Sequence, residues 1–189
     1  MSYQRIRSFI SIDIEDPVIV DRIQKIQALL KDKNTKIKFV EPENLHITLR
    51  FLGEIYESQI KELITALKIV KKTTFRIHFK YLGAFPSIQR ARVIWIGVEK
   101  GEEDLKQLSM QVNQIVDKLR IGKKENKKFT PHLTIGRLKT RPSRHFIETI
   151  TRNSNIDIGE IDVTEFRLKQ SILTSRGPIY KTLFSFKLS

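Results

Sequence analysis

Two short segments of this 189-residue chain place a histidine and a threonine two positions apart among apolar residues. The first is HITL, with His46 and Thr48, and the second is HLTI, with His132 and Thr134. Side chains at positions i and i+2 of a β-strand project to the same side. Each segment is therefore predicted to be a strand that presents an imidazole beside a hydroxyl on one face and anchors its other face in the core.

Two histidines and two threonines suit acid–base chemistry at phosphorus. Because the ordinary pKa of histidine is about 6.5, one ring can be neutral while another is protonated at the same pH. The neutral ring can take a proton from an attacking oxygen while the charged ring gives a proton to a leaving oxygen. Threonine hydroxyls can donate hydrogen bonds to phosphate oxygens, and a nearby cation can neutralise their charge. These residues alone do not fix which histidine is the acid and which is the base.

Metal chemistry is the weaker interpretation of the two motifs. The chain has no cysteine, which excludes disulfides, cysteine nucleophiles and thiolate metal sites. Two histidines on distant strands would need a third metal ligand, and Glu41 and Glu43 lie too near the start of the first motif strand to be convincing ones. We therefore expect neither a metal nor another cofactor.

The charge balance favours a polyanionic partner. The chain carries 35 Lys and Arg against 21 Asp and Glu, a net charge of +14, while 40% of its residues are hydrophobic. Nucleic acid is the first candidate partner and an anionic membrane the second, and a basic surface without a partner is the alternative. No apolar run reaches the roughly 18–20 residues of a membrane span, and the N-terminus lacks a signal pattern, so we expect a cytoplasmic protein. Abundant Ile, Lys and Glu are weakly typical of a thermophile.

The elements around the motifs occur twice in the same order: strand, helix, motif strand, helix, strand. In the first half, strands are predicted at 7–14, 45–52 and 74–82, and helices at 17–31 and from residue 58. In the second half, strands are predicted at 92–98, around 132 and at 161–169, and helices at 102–119 and 143–151. A closing strand is predicted at 179–188. This repetition predicts a duplicated α+β unit. We interpret residues 1–189 as one domain of two pseudo-symmetric lobes, approximately 1–82 and 92–189, between which strands can be exchanged.

Three arginines are candidate phosphate ligands. Strict alternation places Arg50 on the face of His46 and Thr48, with Phe51 on the opposite, core-facing side. The alternative role of Arg50 is a solubilising charge at the strand edge. Arg137 falls off the alternation from His132 unless Gly136 bends the strand. Arg92 begins a strand and is either a phosphate ligand or a strand-end charge.

Two aromatic residues and one loop are candidate RNA contacts. Tyr180 and Phe129 can each stack a base or pack against a sheet. The basic loop IGKKENKK, residues 121–128, is either an RNA contact or a solvated surface loop.

The paired motifs resemble the H-x-T-x signature of the 2H phosphoesterase superfamily. Their surroundings narrow the likeness, since FVEPENLHITLRFLGEI, FTPHLTIGRLK and SILTSRGPIYKTLFSFKL resemble segments of the archaeal and bacterial RNA 2′,3′-cyclic phosphodiesterases, once called 2′-5′ RNA ligases. The likeness extends in order over essentially the whole chain. It implies an α+β, bilobal fold in which two antiparallel sheets line a central cleft and helices lie outside.

The resemblance also implies a reaction. The family hydrolyses a terminal 2′,3′-cyclic phosphate on RNA to a 2′-phosphate without a metal, and reversible 2′-5′ ligation is a plausible minor activity. By this resemblance His46 would be the proton donor and His132 the proton acceptor, while Thr48 and Thr134 would hold phosphate oxygens. The expected partner is RNA with a cyclic phosphate end, such as a tRNA fragment, bound by a monomer. The alternatives are a phosphodiesterase of small cyclic or 2′-5′-linked nucleotides and a non-catalytic RNA-binding module.

Overall fold

The computed structural model describes residues 4–125, 128–175 and 177–189. In these ranges the strands are β1 (Arg5–Asp13), β2 (Ile37–Phe39), β3 (His46–Tyr56), β4 (Phe75–Phe85), β5 (Val93–Lys100), β6 (His132–Leu138), β7 (Asp157–Val163), β8 (Glu165–Thr174) and β9 (Gly177–Lys187). The helices are α1 (Pro17–Leu29), α2 (Glu57–Leu67), α3 (Glu102–Leu119) and α4 (Arg144–Arg152). None of the helices in these ranges is both long and apolar enough to cross a membrane.

The strands form two antiparallel sheets, and each sheet takes strands from both halves of the sequence. The first sheet has the order β3-β1-β8-β9 and the second β2-β6-β5-β4-β7. This arrangement confirms the expected α+β class with two antiparallel sheets. The expected lobes, approximately 1–82 and 92–189 with strands exchanged between them, stay a prediction; β8 and β9 lie in the same sheet as β1, whereas β2 and β4 lie in the other sheet.

Apolar faces of the helices pack against the sheets. Helix α1 begins where the Asp16 carboxylate accepts hydrogen bonds from the backbone N–H groups of Val18 and Ile19, at 2.9 and 3.0 Å. Helix α3 buries the stripe Leu105, Leu108, Val112 and Val116 completely. The short strand β2 lies in a stretch whose polar composition gave no indication of a strand, and it forms because its backbone pairs with the edge of β6.

The first motif strand contains a β-bulge directly after its threonine. Thr48 pairs with Ser11 of β1, but the next pair joins Arg50 to Ile10, so Leu49 is the extra residue. A bulge resets the alternation of side chains between the two faces of a strand. The prediction that Phe51 faces the core is therefore wrong, because its side chain lies beyond the bulge and is 58% exposed.

The second motif strand contains a bulge at the equivalent place. Thr134 pairs with Trp95 of β5 and Gly136 with Ile94, which leaves Ile135 as the extra residue. Beyond this bulge, Arg137 is exposed while its neighbour Leu138 is buried. The two motif strands thus share their irregularity as well as their sequence pattern.

Candidate active site

The two motifs come together at one cleft of about 1330 Å³. His46 and Thr48 reach it from β3 of the first sheet, and His132 and Thr134 reach it from β6 of the second. All four residues are half-buried, so each is packed by the protein on one side and open to the cleft on the other. The structure therefore brings together the four residues that the motifs predict to be catalytic.

The two imidazoles are held in the same way. Nδ1 of His46 lies 2.7 Å from the carbonyl oxygen of Asn44, and Nδ1 of His132 lies 2.8 Å from the carbonyl oxygen of Thr130. A carbonyl oxygen can only accept a hydrogen bond, so Nδ1 must carry a proton in both rings. When either ring is neutral, its lone pair is therefore on Nε2, and Nε2 is the nitrogen left to exchange a proton with a ligand.

Aromatic rings pack against both histidines. The ring of Phe9 lies 5.1 Å from that of His46, and Tyr180 meets His46 edge to face at 5.2 Å. On the other side of the cleft Phe85 meets His132 edge to face at 5.1 Å. Such contacts restrict the orientation of each imidazole, so its Nε2 keeps a fixed direction.

Burial lowers the pKa of His46 below its ordinary value. The hydrogen bond to the Asn44 carbonyl and the charge of Asp13 oppose this shift, while the positive charges of Lys169 and Arg137 add to it. The ligand-free protein therefore favours the neutral form of His46. Burial also raises the pKa of the Tyr180 phenol, which keeps its hydroxyl protonated.

A buried ion pair close to His46 is not part of any sequence motif, and it was not identified from the sequence. The Lys169 ammonium pairs with the Asp13 carboxylate, and their side chains are only 6% and 7% exposed. Lys169 also lies 5.9 Å from the centre of the Tyr180 ring. Alternation from the buried Phe166 and Leu168 would not place Lys169 inside, and the irregular pairing of β8 with β9 at Leu168 and Lys169 is not visible in the sequence.

The three predicted arginine ligands occupy different environments. Arg137 is exposed and lines the cleft beside the second motif. Arg92 is exposed but does not contribute to the lining of the cleft. The role of Arg92 as a ligand stays a prediction without support from its position.

Arg50 contributes to the lining of the cleft, but the bulge at Leu49 interrupts the alternation and takes its side chain off the face of Thr48. Its side chain is 1% exposed, and its guanidinium donates to Asn113 Oδ1 at 2.6 Å, to Asp117 Oδ1 at 2.7 Å and to the Lys123 carbonyl at 2.8 Å. These partners belong to α3 and to the loop that follows it. The contacts favour a structural role for Arg50.

The remaining predicted contacts lie around the rim of the cleft. Phe129 is half-buried and Tyr180 is half-buried, and both contribute to the lining. Of the basic loop 121–128, residues 126 and 127 lie outside the described residues, whereas Lys128 is exposed and lines the cleft. In the part of the chain that the structure describes, no three His, Asp, Glu or Cys side chains are grouped so that they could hold a metal ion.

Comparison with known proteins gives consistent matches. The model of the LigT-like phosphoesterases matches residues 12–95 and 96–180, one copy for each half of the chain. The RNA 2′,3′-cyclic phosphodiesterase of Archaeoglobus fulgidus is 40% identical over 96% of this chain and 99% of its own length. That of Methanothermobacter thermautotrophicus is 34% identical over 97% and 100% of the two chains.

Solved structures share the fold. The crystal structure of TT0787 of Thermus thermophilus superposes with a TM-score of 0.78 at 26% identity and covers 97% of this chain and 98% of that one. The crystal structure of E. coli LigT complexed with 3′-AMP superposes with a TM-score of 0.79 at 24% identity, over 98% and 99% of the two chains.

Proposed function

Because the chain belongs to the LigT-like phosphoesterase family, we propose that it hydrolyses the terminal 2′,3′-cyclic phosphate of RNA to a 2′-phosphate. The observation that carries this proposal is the matched pair of histidines. Each has Nδ1 tied to a backbone carbonyl, stands beside a threonine, and reaches the same cleft from a different sheet. Relatives that are 34% to 40% identical over nearly the whole chain are named RNA 2′,3′-cyclic phosphodiesterases.

In the proposed reaction a water molecule opens the cyclic phosphate. His132 Nε2 removes a proton from the water as its oxygen attacks phosphorus, and the bond between phosphorus and the 3′ oxygen breaks on the opposite side. His46 Nε2 gives its proton to the departing 3′ oxygen. The products are a 2′-phosphate and a 3′-hydroxyl, with one proton gained by His132 and one lost by His46. Solvent exchange then restores both rings.

If His46 is the acid, the bound substrate must raise its pKa. Burial in the ligand-free protein favours the neutral imidazole, which by itself would suit a base. A bound cyclic phosphate brings a negative charge into the cleft, and a nearby opposite charge favours the imidazolium. We therefore assign the proton donor to His46 in the complex with substrate, in the order that the family resemblance implies.

The phosphate oxygens are held by the remaining motif residues in this proposal. The hydroxyls of Thr48 and Thr134 donate hydrogen bonds to the two non-bridging oxygens, and Arg137 neutralises their charge. Arg137 is suited to this role because the bulge at Ile135 leaves it exposed at the cleft. The net charge of +14 attracts the phosphates that precede the RNA terminus.

The test is hydrolysis of RNA with a 2′,3′-cyclic end in the presence of EDTA, followed by identification of the product. We expect a 2′-phosphate, and we expect His46→Ala and His132→Ala each to lower kcat by at least about 10²-fold, the contribution of one acid–base group. His145→Ala is the matched control, because His145 is exposed on α4 and does not line the cleft. Unchanged turnover in either motif variant, or turnover that EDTA removes, would overturn the mechanism.

A further inference from the structure

One end of the cleft carries exposed apolar side chains that the hydrolysis step does not use. Phe51 is 58% exposed and Met110 is 54% exposed, and both contribute to the lining of the cleft. The half-buried Phe129 lines the same cleft. Exposed apolar surface inside a cleft of a strongly charged protein marks a place where a ligand removes it from water.

Helix α3 packs against the part of β3 that carries Phe51. The Ser109 hydroxyl donates to the Leu49 carbonyl at 3.2 Å, and Arg50 donates to Asn113 at 2.6 Å. Ser109 adjoins Met110, and Leu49 and Arg50 directly precede Phe51, so these bonds hold the two apolar side chains at one end of the cleft. Lys106, Met110 and Asn113 are spaced at i, i+4 and i+7 and form one face of the helix there.

Phe51 lies one aromatic ring farther from His46 than Phe9 and Tyr180 do. Phe9 and Tyr180 contact the His46 ring directly, at 5.1 and 5.2 Å. Phe51 instead contacts Phe9, with 6.4 Å between ring centres. A base that stacks on Phe51 therefore lies about one nucleotide farther along the RNA than the phosphate at His46.

We propose that Phe51 and Met110 form a subsite for the base of the nucleotide that precedes the cyclic phosphate end. This subsite rests on the proposed function and makes the preferred substrate an RNA of at least two nucleotides. Single-stranded RNA binds by stacking its bases on exposed aromatic side chains, largely without regard to sequence. Lys128 lines the cleft with them and supplies positive charge for the connecting phosphate, as does Lys106, whose ammonium pairs with Glu102 at 2.9 Å in the ligand-free protein.

The size of the cleft agrees with an extended ligand. Its volume of about 1330 Å³ exceeds the roughly 300–1,000 Å³ of pockets that enclose one small molecule. A mononucleotide cyclic phosphate would therefore fill only part of the cleft.

The experiment compares kcat/KM for adenosine 2′,3′-cyclic phosphate with kcat/KM for a tetra-adenylate that ends in a 2′,3′-cyclic phosphate. We expect the protein to prefer the tetranucleotide, and Phe51→Ala to lower this preference about tenfold, the usual effect of removing one stacking side chain. Met110→Ala should lower it less, and Phe51→Trp should keep it. Leu29→Ala is the matched control, because Leu29 is 47% exposed on α1 away from the cleft and should change neither rate.

The outcomes separate the subsite from the proposed function. If the protein hydrolysed neither of the two substrates, the proposed function and the subsite would be refuted together. Hydrolysis of both substrates with a preference that Phe51→Ala and Met110→Ala leave unchanged would refute the subsite alone. An equal loss on both substrates would place the terminal base on Phe51 and would also overturn the proposal. Because Met110 is exposed, its variant tests the proposal even if Phe51→Ala does not fold.

Discussion

Replacing Arg50 with alanine separates two roles for this guanidinium, the structural role that its contacts favour and the phosphate-binding role that strand alternation predicts. The side chain is 1% exposed and donates three hydrogen bonds at 2.6 to 2.8 Å. Breaking a buried ion pair by removing one partner costs about 3–5 kcal/mol. Because Asp117 is 44% exposed and can regain water, we expect a smaller cost, about 2–4 kcal/mol of unfolding free energy.

The assay is thermal unfolding together with kcat/KM for RNA with a cyclic phosphate end. For a chain of this length, a loss of about 2–4 kcal/mol lowers Tm by roughly 5–15 °C. At temperatures where the variant is folded, kcat/KM should fall less than about tenfold, since the guanidinium is buried and already donates to three protein partners. Arg50→Lys keeps the charge but cannot reproduce the planar fork, so it should restore less than half of the lost stability.

Arg137→Ala is the matched control for an arginine at the cleft. Arg137 is exposed and lines the cleft, so its removal should leave Tm within about 1 °C while it lowers kcat/KM by about 10²-fold or more. An Arg50→Ala variant with the Tm of the original protein and a kcat/KM lowered as far as in Arg137→Ala would refute the structural role of Arg50.

Two further predictions concern stability. Burial lowers the pKa of His46 in the folded protein, so below the unfolded-state pKa of about 6.5 the unfolded chain binds more protons than the folded one. The free energy of unfolding is therefore highest above this pH and falls as the pH drops toward the folded-state pKa. Urea unfolding at a series of pH values should show this fall, and His46→Asn should reduce it. Gly122→Ala should lower the free energy of unfolding by more than the roughly 1–2 kcal/mol that a non-glycine residue loses in the left-handed region, because its Cβ would lie 2.5 Å from the Leu52 carbonyl oxygen. Gly53→Ala is the control, because Gly53 also has a positive φ but has open space around it, so this variant should lose only that left-handed cost. Equal losses of Tm in the two variants would contradict the clash at Gly122.

Periodic patterns in the sequence predicted the regular parts of the fold. Helix α3 occupies Glu102–Leu119, the range that its apolar spacing indicates, because a long amphipathic stripe has few alternative structures. The His-x-Thr pattern likewise predicted that each histidine shares a strand face with the threonine two positions later, and both pairs do line the cleft. Both inferences depend only on residues close together in the chain.

The bulges could not be predicted because they arise from pairing with another strand. The extra residues Leu49 and Ile135 are ordinary apolar strand residues, and nothing in their type marks them. Yet the bulges decide that Phe51 and Arg137 are exposed, with Arg137 beside the second motif. For the same reason the sequence assigned Arg50 to the open face, although its partners on α3 lie more than 60 positions away.

Because each sheet takes strands from both halves of the chain, the surroundings of His46 depend on β8 and β9, which follow both motifs in the sequence. Until the ribosome has made residues 165–187, the first sheet consists of β1 and β3 alone, with one edge of β1 unpaired. During this time the nascent chain has both histidines but lacks the Tyr180 ring against His46 and the Lys169 ammonium against Asp13. The set of contacts around His46 is therefore complete only after β8 and β9 have been added.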